Sequence, residues 1–146
     1  MVSLHSLNNK FSKFSRLTLS EKCAFITYLL IFPLFLLVYR TIGYNKARKF
    51  TDYLVKPTKD SLKTTGNELL NHSKIINTSL GNCIIKSTCL EKSLFTYLVL
   101  GLKGFNSDLK IGINNDENKF QAHAWVEKEQ IVLNDQQDSV ENFSAF

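Results

Sequence analysis

Hydrophobic spacing changes from helical to alternating between Thr88 and Asp135, and that stretch organises the rest of the chain. Thr88 and Glu91 form a T-x-x-E capping box, which predicts Thr88 as N-cap and Cys89 as the first residue of a helix. Leu90, Leu94, Tyr97, Leu98 and Gly101 then recur at helical spacing, and the helix should stop between Gly101 and Gly104. Leu109 to Ile113 alternates as a half-buried strand does, and the polar run Asn114 to Lys119 reads as a loop. In Phe120 to Glu127 the even positions Phe120, Ala122, Ala124 and Val126 share one face. Gln121, His123, Trp125 and Glu127 share the other. Ile131 to Leu133 is a third strand, ending in Asn134 and Asp135, close enough to be a hairpin partner. A three-residue connection, Lys128 to Gln130, would put His123 opposite Asp135 on one face. A two- or four-residue loop would put them on opposite faces.

Upstream, Thr18 and Glu21 make another capping box, and Cys23 to Tyr39 is a run of 17 uncharged, mainly apolar residues containing Pro33. An apolar helix over 18–40 is expected. A cleaved signal is disfavoured, because the run starts late and lacks a small-residue cleavage site. A membrane span is at the short edge of what length allows. A helix packed in the domain, turned or bent at Pro33, is the third reading. Leu30, Leu34 and Leu37 are expected to be buried in whichever medium receives the run. Basic residues flank it on both sides, so charge gives no orientation. Pro57 marks a connection. Thr65 and Glu68 then open a helix running through Leu80 and closed by Gly81. The tail Gln136 to Phe146 is polar, with Phe143 and Phe146 as anchors onto the domain.

At 146 residues the chain suits one folding unit with one core. Two regions are drawn within it: a basic N-terminal segment, 1–64, and a core, 65–146. Residues 1–64 hold eleven Lys and Arg against three acids, and residues 65–146 hold seven against ten. A basic N-terminal part suits anionic lipid or an acidic partner, and no nucleic-acid motif accompanies it. Three cysteines, Cys23, Cys83 and Cys89, are an odd number without metal-type spacing, which argues against a disulfide framework or zinc site and fits a reducing cytoplasm. Cys23 and Cys83 read as small buried hydrophobes. His72 falls on a helix and His5 in the N-terminal segment, and neither is assigned chemistry.

Cys89, His123 and Asp135 remain as a constellation. A thiol in the first turn of a helix lies among unpaired N–H groups at the positive end of the dipole, which favours the thiolate. An imidazole on a strand can take its proton, and a carboxylate on the neighbouring strand can orient the ring. Backbone N–H groups at the helix start could stabilise a tetrahedral oxyanion.

The blocks TCLEKSLFTYLVLGLKGFNSDLKIGI, FQAHAWVE and IVLND resemble the C-terminal core of the lasso-peptide leader peptidases, a transglutaminase-like, papain-type group. The likeness covers roughly residues 83 to 135. It departs from the pattern at Glu129-Gln130, where a D-G type turn is usual, and at Phe105 and Ile113. The resemblance implies an α+β fold, with N-terminal helices plus a transglutaminase-like core that carries the nucleophile on a central helix against a small antiparallel sheet. It implies Cys89 as nucleophile, His123 as base and Asp135 as orienting acid. The implied activity is a cysteine endopeptidase that removes the leader from a lasso-peptide precursor. Implied partners are that precursor, a separate leader-binding protein and an ATP-dependent macrolactam-forming cyclase. No metal or organic cofactor is indicated; ATP dependence is attributed to some relatives, yet no phosphate-binding loop is present. The family also begins with an apolar helical region, which favours the packed reading of residues 23–39, with membrane contact kept open. Two alternatives stand: another acyl transferase or amidase using the same triad, and a noncatalytic membrane-associated or peptide-binding protein.

Overall fold

A computed structural model describes residues 17–55, 66–116 and 119–145. Helix α1, Leu19–Ile42, starts at the Thr18 capping box and runs uninterrupted through Pro33. Beyond Gly43, α2 spans Tyr44–Leu54, which the sequence reading did not assign. Helix α3, Gly66–Gly81, follows; its expected cap, Thr65, lies outside the described residues. Helix α4 spans Cys89–Leu102 and opens on the complete Thr88/Glu91 capping box. The strands are β1, Asp108–Asp116, β2, Lys119–Lys128, and β3, Ile131–Val132. A single-turn helix α5, Gln137–Val140, and the short β4, Ser144–Ala145, complete the chain. The fold is α+β, with an antiparallel sheet in the order β3-β2-β1-β4.

One hydrophobic cluster holds the helices to the sheet. Tyr28, Phe32 and Leu36 of α1 enter it at helical spacing and meet Ile76 and Leu80 of α3, Phe95 and Leu100 of α4 and Val126 of β2. The Phe95 ring lies edge-on to Phe32 at 5.0 Å and to Phe35 at 5.2 Å. Full burial of each such side chain is worth about 1.5–3 kcal/mol. The buried stripe of α1 is therefore not Leu30, Leu34 and Leu37, which are 65, 64 and 66% exposed. The run is apolar all round, so composition could not tell its two faces apart. Gly101 lets α2 close on α4, since a Cβ there would run into the Val55 side chain.

The β1–β2 hairpin is longer than the polar run suggested. Asn114 pairs with Gln121, and pairing continues through Asp116 and Lys119, so most of the expected loop is strand. Asparagine and aspartate weaken a strand assignment by propensity, and cross-strand pairing overrides it here. Ala124 and Val126 are buried as expected, but so is Trp125 on the opposite face, and burial in the middle of β2 therefore does not alternate. Phe120, near the hairpin tip, is exposed instead.

Candidate active site

The second hairpin turns on two residues. Glu127 pairs with Val132 and Lys128 with Ile131, leaving Glu129 and Gln130 as the loop, both at positive φ (51° and 68°). Two central residues at positive φ make a type I′ turn, which matches the twist of the flanking strands. The expected three-residue loop is thus corrected to two. In a continued ladder that register would send Asp135 to the face opposite His123. The ladder does not continue. Leu133 still donates its N–H to the Val126 carbonyl at 2.8 Å, but the next bond is made by a side chain, with Asn134 Oδ1 accepting from the Val126 N–H at 2.7 Å. The backbone bends away over Leu133 to Asp135 and carries the aspartate round to the histidine.

His123 Nε2 and Asp135 Oδ2 lie 2.8 Å apart, with the side chains 20% and 32% exposed. The second carboxylate oxygen, Oδ1, accepts from the Gln136 N–H at 2.8 Å. A ring proton on Nε2 would donate to an ionised carboxylate here, and that tautomer leaves the Nδ1 lone pair for accepting a proton. Trp125 stacks beside the imidazole at 6.2 Å, and Phe143 leans on it at 5.3 Å. Gly112 sits across the ladder from His123. A Cβ there would come within 2.9 Å of the Trp125 ring and 3.0 Å of Phe143, so the aromatic wall depends on a bare backbone. Trp125 Nε1 donates to Glu127 at 2.8 Å, which orients the indole. The other expected anchor, Phe146, lies outside the described residues.

Cys89 is the first residue of α4, a free and half-buried thiol. One turn on, Ser93 is fully buried and donates to the carbonyl of Ala124, the residue after His123, at 2.7 Å. Residues four apart share a helix face about 5–6 Å from Cβ to Cβ, so α4 carries Cys89 along the side that meets β2. Asn134 Nδ2 donates to Ser93 Oγ at 2.7 Å, and through it the segment bearing Asp135 is tied to α4. From α3, Ser73 Oγ and Asn77 Nδ2, the latter at 2.9 Å, both donate to the Leu133 carbonyl. Three elements, α3, α4 and β2, therefore converge on Leu133 and Asn134.

The helix start is braced from α1. Arg40 Nε lies 2.8 Å from Glu91 Oε1, one Nη 3.2 Å from Oε2, and the same nitrogen donates to the Lys86 carbonyl at 2.8 Å. Glu91 also accepts from the Thr88 N–H at 2.7 Å. The Arg40 hydrogen bond, with a further contribution from Thr88, holds the Glu91 carboxyl below the usual range despite its burial. Elsewhere, His72 packs against Phe105 at 5.4 Å, and burial lowers its affinity for a proton. Cys23 is exposed, against the expectation of burial, and Cys83 is half-buried. Among the described residues no group of three or more His, Cys, Asp and Glu gathers as a metal site would.

Sequence reasoning named Cys89, His123 and Asp135 and missed Ser73, Asn77, Ser93, Asn134 and the Arg40–Glu91 pair. A signal existed for two of these: Ser93 repeats the Cys89 position one turn on, and Asn134 precedes the carboxylate. The family model described as Transglutaminase-like superfamily matches residues 36–146, which include every residue of this cluster. No curated protein and no solved structure matches the chain.

Proposed function

The chain belongs to the transglutaminase-like superfamily, and from that premise we propose that it is a cysteine endopeptidase that removes the leader from a lasso-peptide precursor. In this reading Cys89 is the nucleophile, His123 the general base and acid, and Asp135 the group that orients and charges the imidazole. The His123–Asp135 contact at 2.8 Å, beside a strand bonded to the helix that begins with Cys89, is the observation that carries it. The resemblance of the CLEKSL, AHAW and ND blocks to leader peptidases supplies the substrate class.

His123 Nδ1 takes the Cys89 Sγ proton as sulfur attacks the scissile carbonyl carbon, and the oxyanion is met by N–H groups at the start of α4. Collapse of the tetrahedral intermediate breaks the C–N bond while His123 returns the proton to the departing amine. Water, deprotonated by the same ring, then hydrolyses the thioester and regenerates the thiol. Asp135 stabilises the imidazolium that forms in each half. The chemistry requires no metal or organic cofactor. A separate leader-binding protein would present the precursor, and a cyclase would consume the freed amino terminus.

The test is mass spectrometry of a precursor incubated with the chain and a leader-binding protein. Hydrolysis gives a leader with a free carboxylate and a core with a new amino terminus, and Cys89→Ala gives neither. Products joined to an added amine, without gain of water, would point to acyl transfer instead.

A further inference from the structure

Helix α1 is long and apolar enough to cross a membrane, yet only one of its faces is used inside the protein. Tyr28, Phe32 and Leu36 are sealed against α3 and α4. On the other side Ile26, Leu30, Leu34 and Leu37 follow one another at spacings of three and four, flanked by Ile31 and Val38, and all six are about half exposed or more. No charged residue interrupts this stripe between Lys22 and Arg40. A continuous apolar patch rimmed by charge marks an interaction surface.

We propose that this face docks the protein on the surface of an anionic lipid bilayer, with α1 lying in the plane of the interface. A transmembrane placement conflicts with the packing, since α3, with exposed Glu68 and Lys74, would enter hydrocarbon with it. An interfacial helix needs one apolar side in the acyl boundary and something polar on the other, and here the folded domain takes the polar role. Charge selects the occupant. The part of the chain that carries α1 holds eleven Lys and Arg against three acids, and α2 exposes Lys46 and Lys49 just beyond Gly43. A segment of that charge is drawn to anionic headgroups. A second copy of the chain is a poorer occupant, because an isologous contact would press two basic segments together. The inference does not depend on which bond the site cleaves. The docked helix does end beside the site, since Arg40 reaches both Glu91 and the Lys86 carbonyl ahead of Cys89.

Flotation of the full chain with vesicles tests this, using phosphatidylcholine alone and phosphatidylcholine mixed with phosphatidylglycerol. The wild-type chain should float with the mixed vesicles, float less with the neutral ones, and lose binding as salt is added. Leu30→Gln, Leu34→Gln and Leu37→Gln together should lower partitioning by about 100-fold or more while thermal unfolding stays that of wild type. Lys46→Glu with Lys49→Glu leaves the apolar face intact and should reduce the preference for anionic vesicles by about tenfold or more. Failure of wild type to float with either vesicle would overturn the proposal, as would equal flotation of the leucine variant. A wild-type dimer in lipid-free buffer that the leucine variant converts to monomer would assign the face to a second copy. Binding that appears only after removal of residues 1–16 would assign it to that segment.

Discussion

Asn134→Ala separates the frame of the site from its chemistry. Asn134 touches neither the thiol nor the imidazole in the proposed mechanism, yet its amide closes the circuit between β2, α4 and the segment bearing Asp135. Truncation leaves the N–H of Val126, a fully buried residue, without its acceptor, and a buried orphan donor costs about 1–3 kcal/mol. Ser93 keeps its bond to the Ala124 carbonyl but loses the amide donor, an ordinary neutral hydrogen bond worth about 0.5–1.5 kcal/mol. The two together predict a loss of about 1.5–4.5 kcal/mol, read as a lower urea midpoint with unchanged slope. Activity measured below the transition should fall more than the unfolded fraction explains, because Asp135 is no longer held at the ring. The fall should appear in kcat rather than KM, since precursor binding is untouched. Asn134→Asp keeps the acceptor for Val126 and loses the donor to Ser93, so it should lose less stability than alanine does. A loss below about 0.5 kcal/mol for Asn134→Ala, within the range of ordinary surface substitutions, would refute the role given to this amide.

Three further outcomes follow from particular contacts. Gly112→Ala should push Trp125 and Phe143 off the imidazole and cost about 1–3 kcal/mol, the usual range for overpacking, with lowered cleavage; wild-type denaturation and turnover would show the wall to be dispensable. Glu129→Asn with Gln130→Gly should raise the unfolding free energy by about 1 kcal/mol, because both positions hold left-handed backbone that side chains disfavour, and an unchanged midpoint would contradict that reading. Glu91 is held below its unfolded value of 4.5, so its stabilisation is full above that pH and is lost as pH falls through the lower folded value. Arg40→Met should therefore flatten the acid limb of an unfolding-against-pH curve, and parallel limbs would remove the pair from the account.

The legible parts of this fold were those written in local grammar. Thr88 with Glu91 placed the start of α4 correctly, whereas alternation from Phe120 to Glu127 matches burial only at Ala124 and Val126, with Phe120 and Ala122 exposed and Trp125 buried on the other face. What escaped depended on contacts distant in sequence. Arg40 and Glu91 are 51 positions apart, and Ser73 and Leu133 are 60, so no periodicity connects them. The short β4 exists only because β1 offers it an edge. Helix α1 was foreseen as an element, but with every position apolar its buried stripe was set by what it packs against, and Tyr28, Phe32 and Leu36 won over Leu30, Leu34 and Leu37. The meeting of His123 and Asp135 was expected for an incorrect reason. Strand alternation alone requires a three-residue turn, whereas a two-residue turn followed by a departure from the ladder at Asn134 produces it.

The central claim, that Cys89 is a thiol activated by His123, can be read without any substrate by site-resolved alkylation. The chain carries its own controls, since Cys23 is exposed whereas Cys83 and Cys89 are half-buried. Limiting iodoacetamide at neutral pH, followed by mass spectrometry of the peptides holding each cysteine, gives three rates in one sample. If accessibility alone governs, Cys23 reacts first. The account predicts that Cys89 reacts first despite its partial burial, and that His123→Ala slows Cys89 alone. Rates that simply follow exposure, and that His123→Ala leaves unchanged, would contradict it.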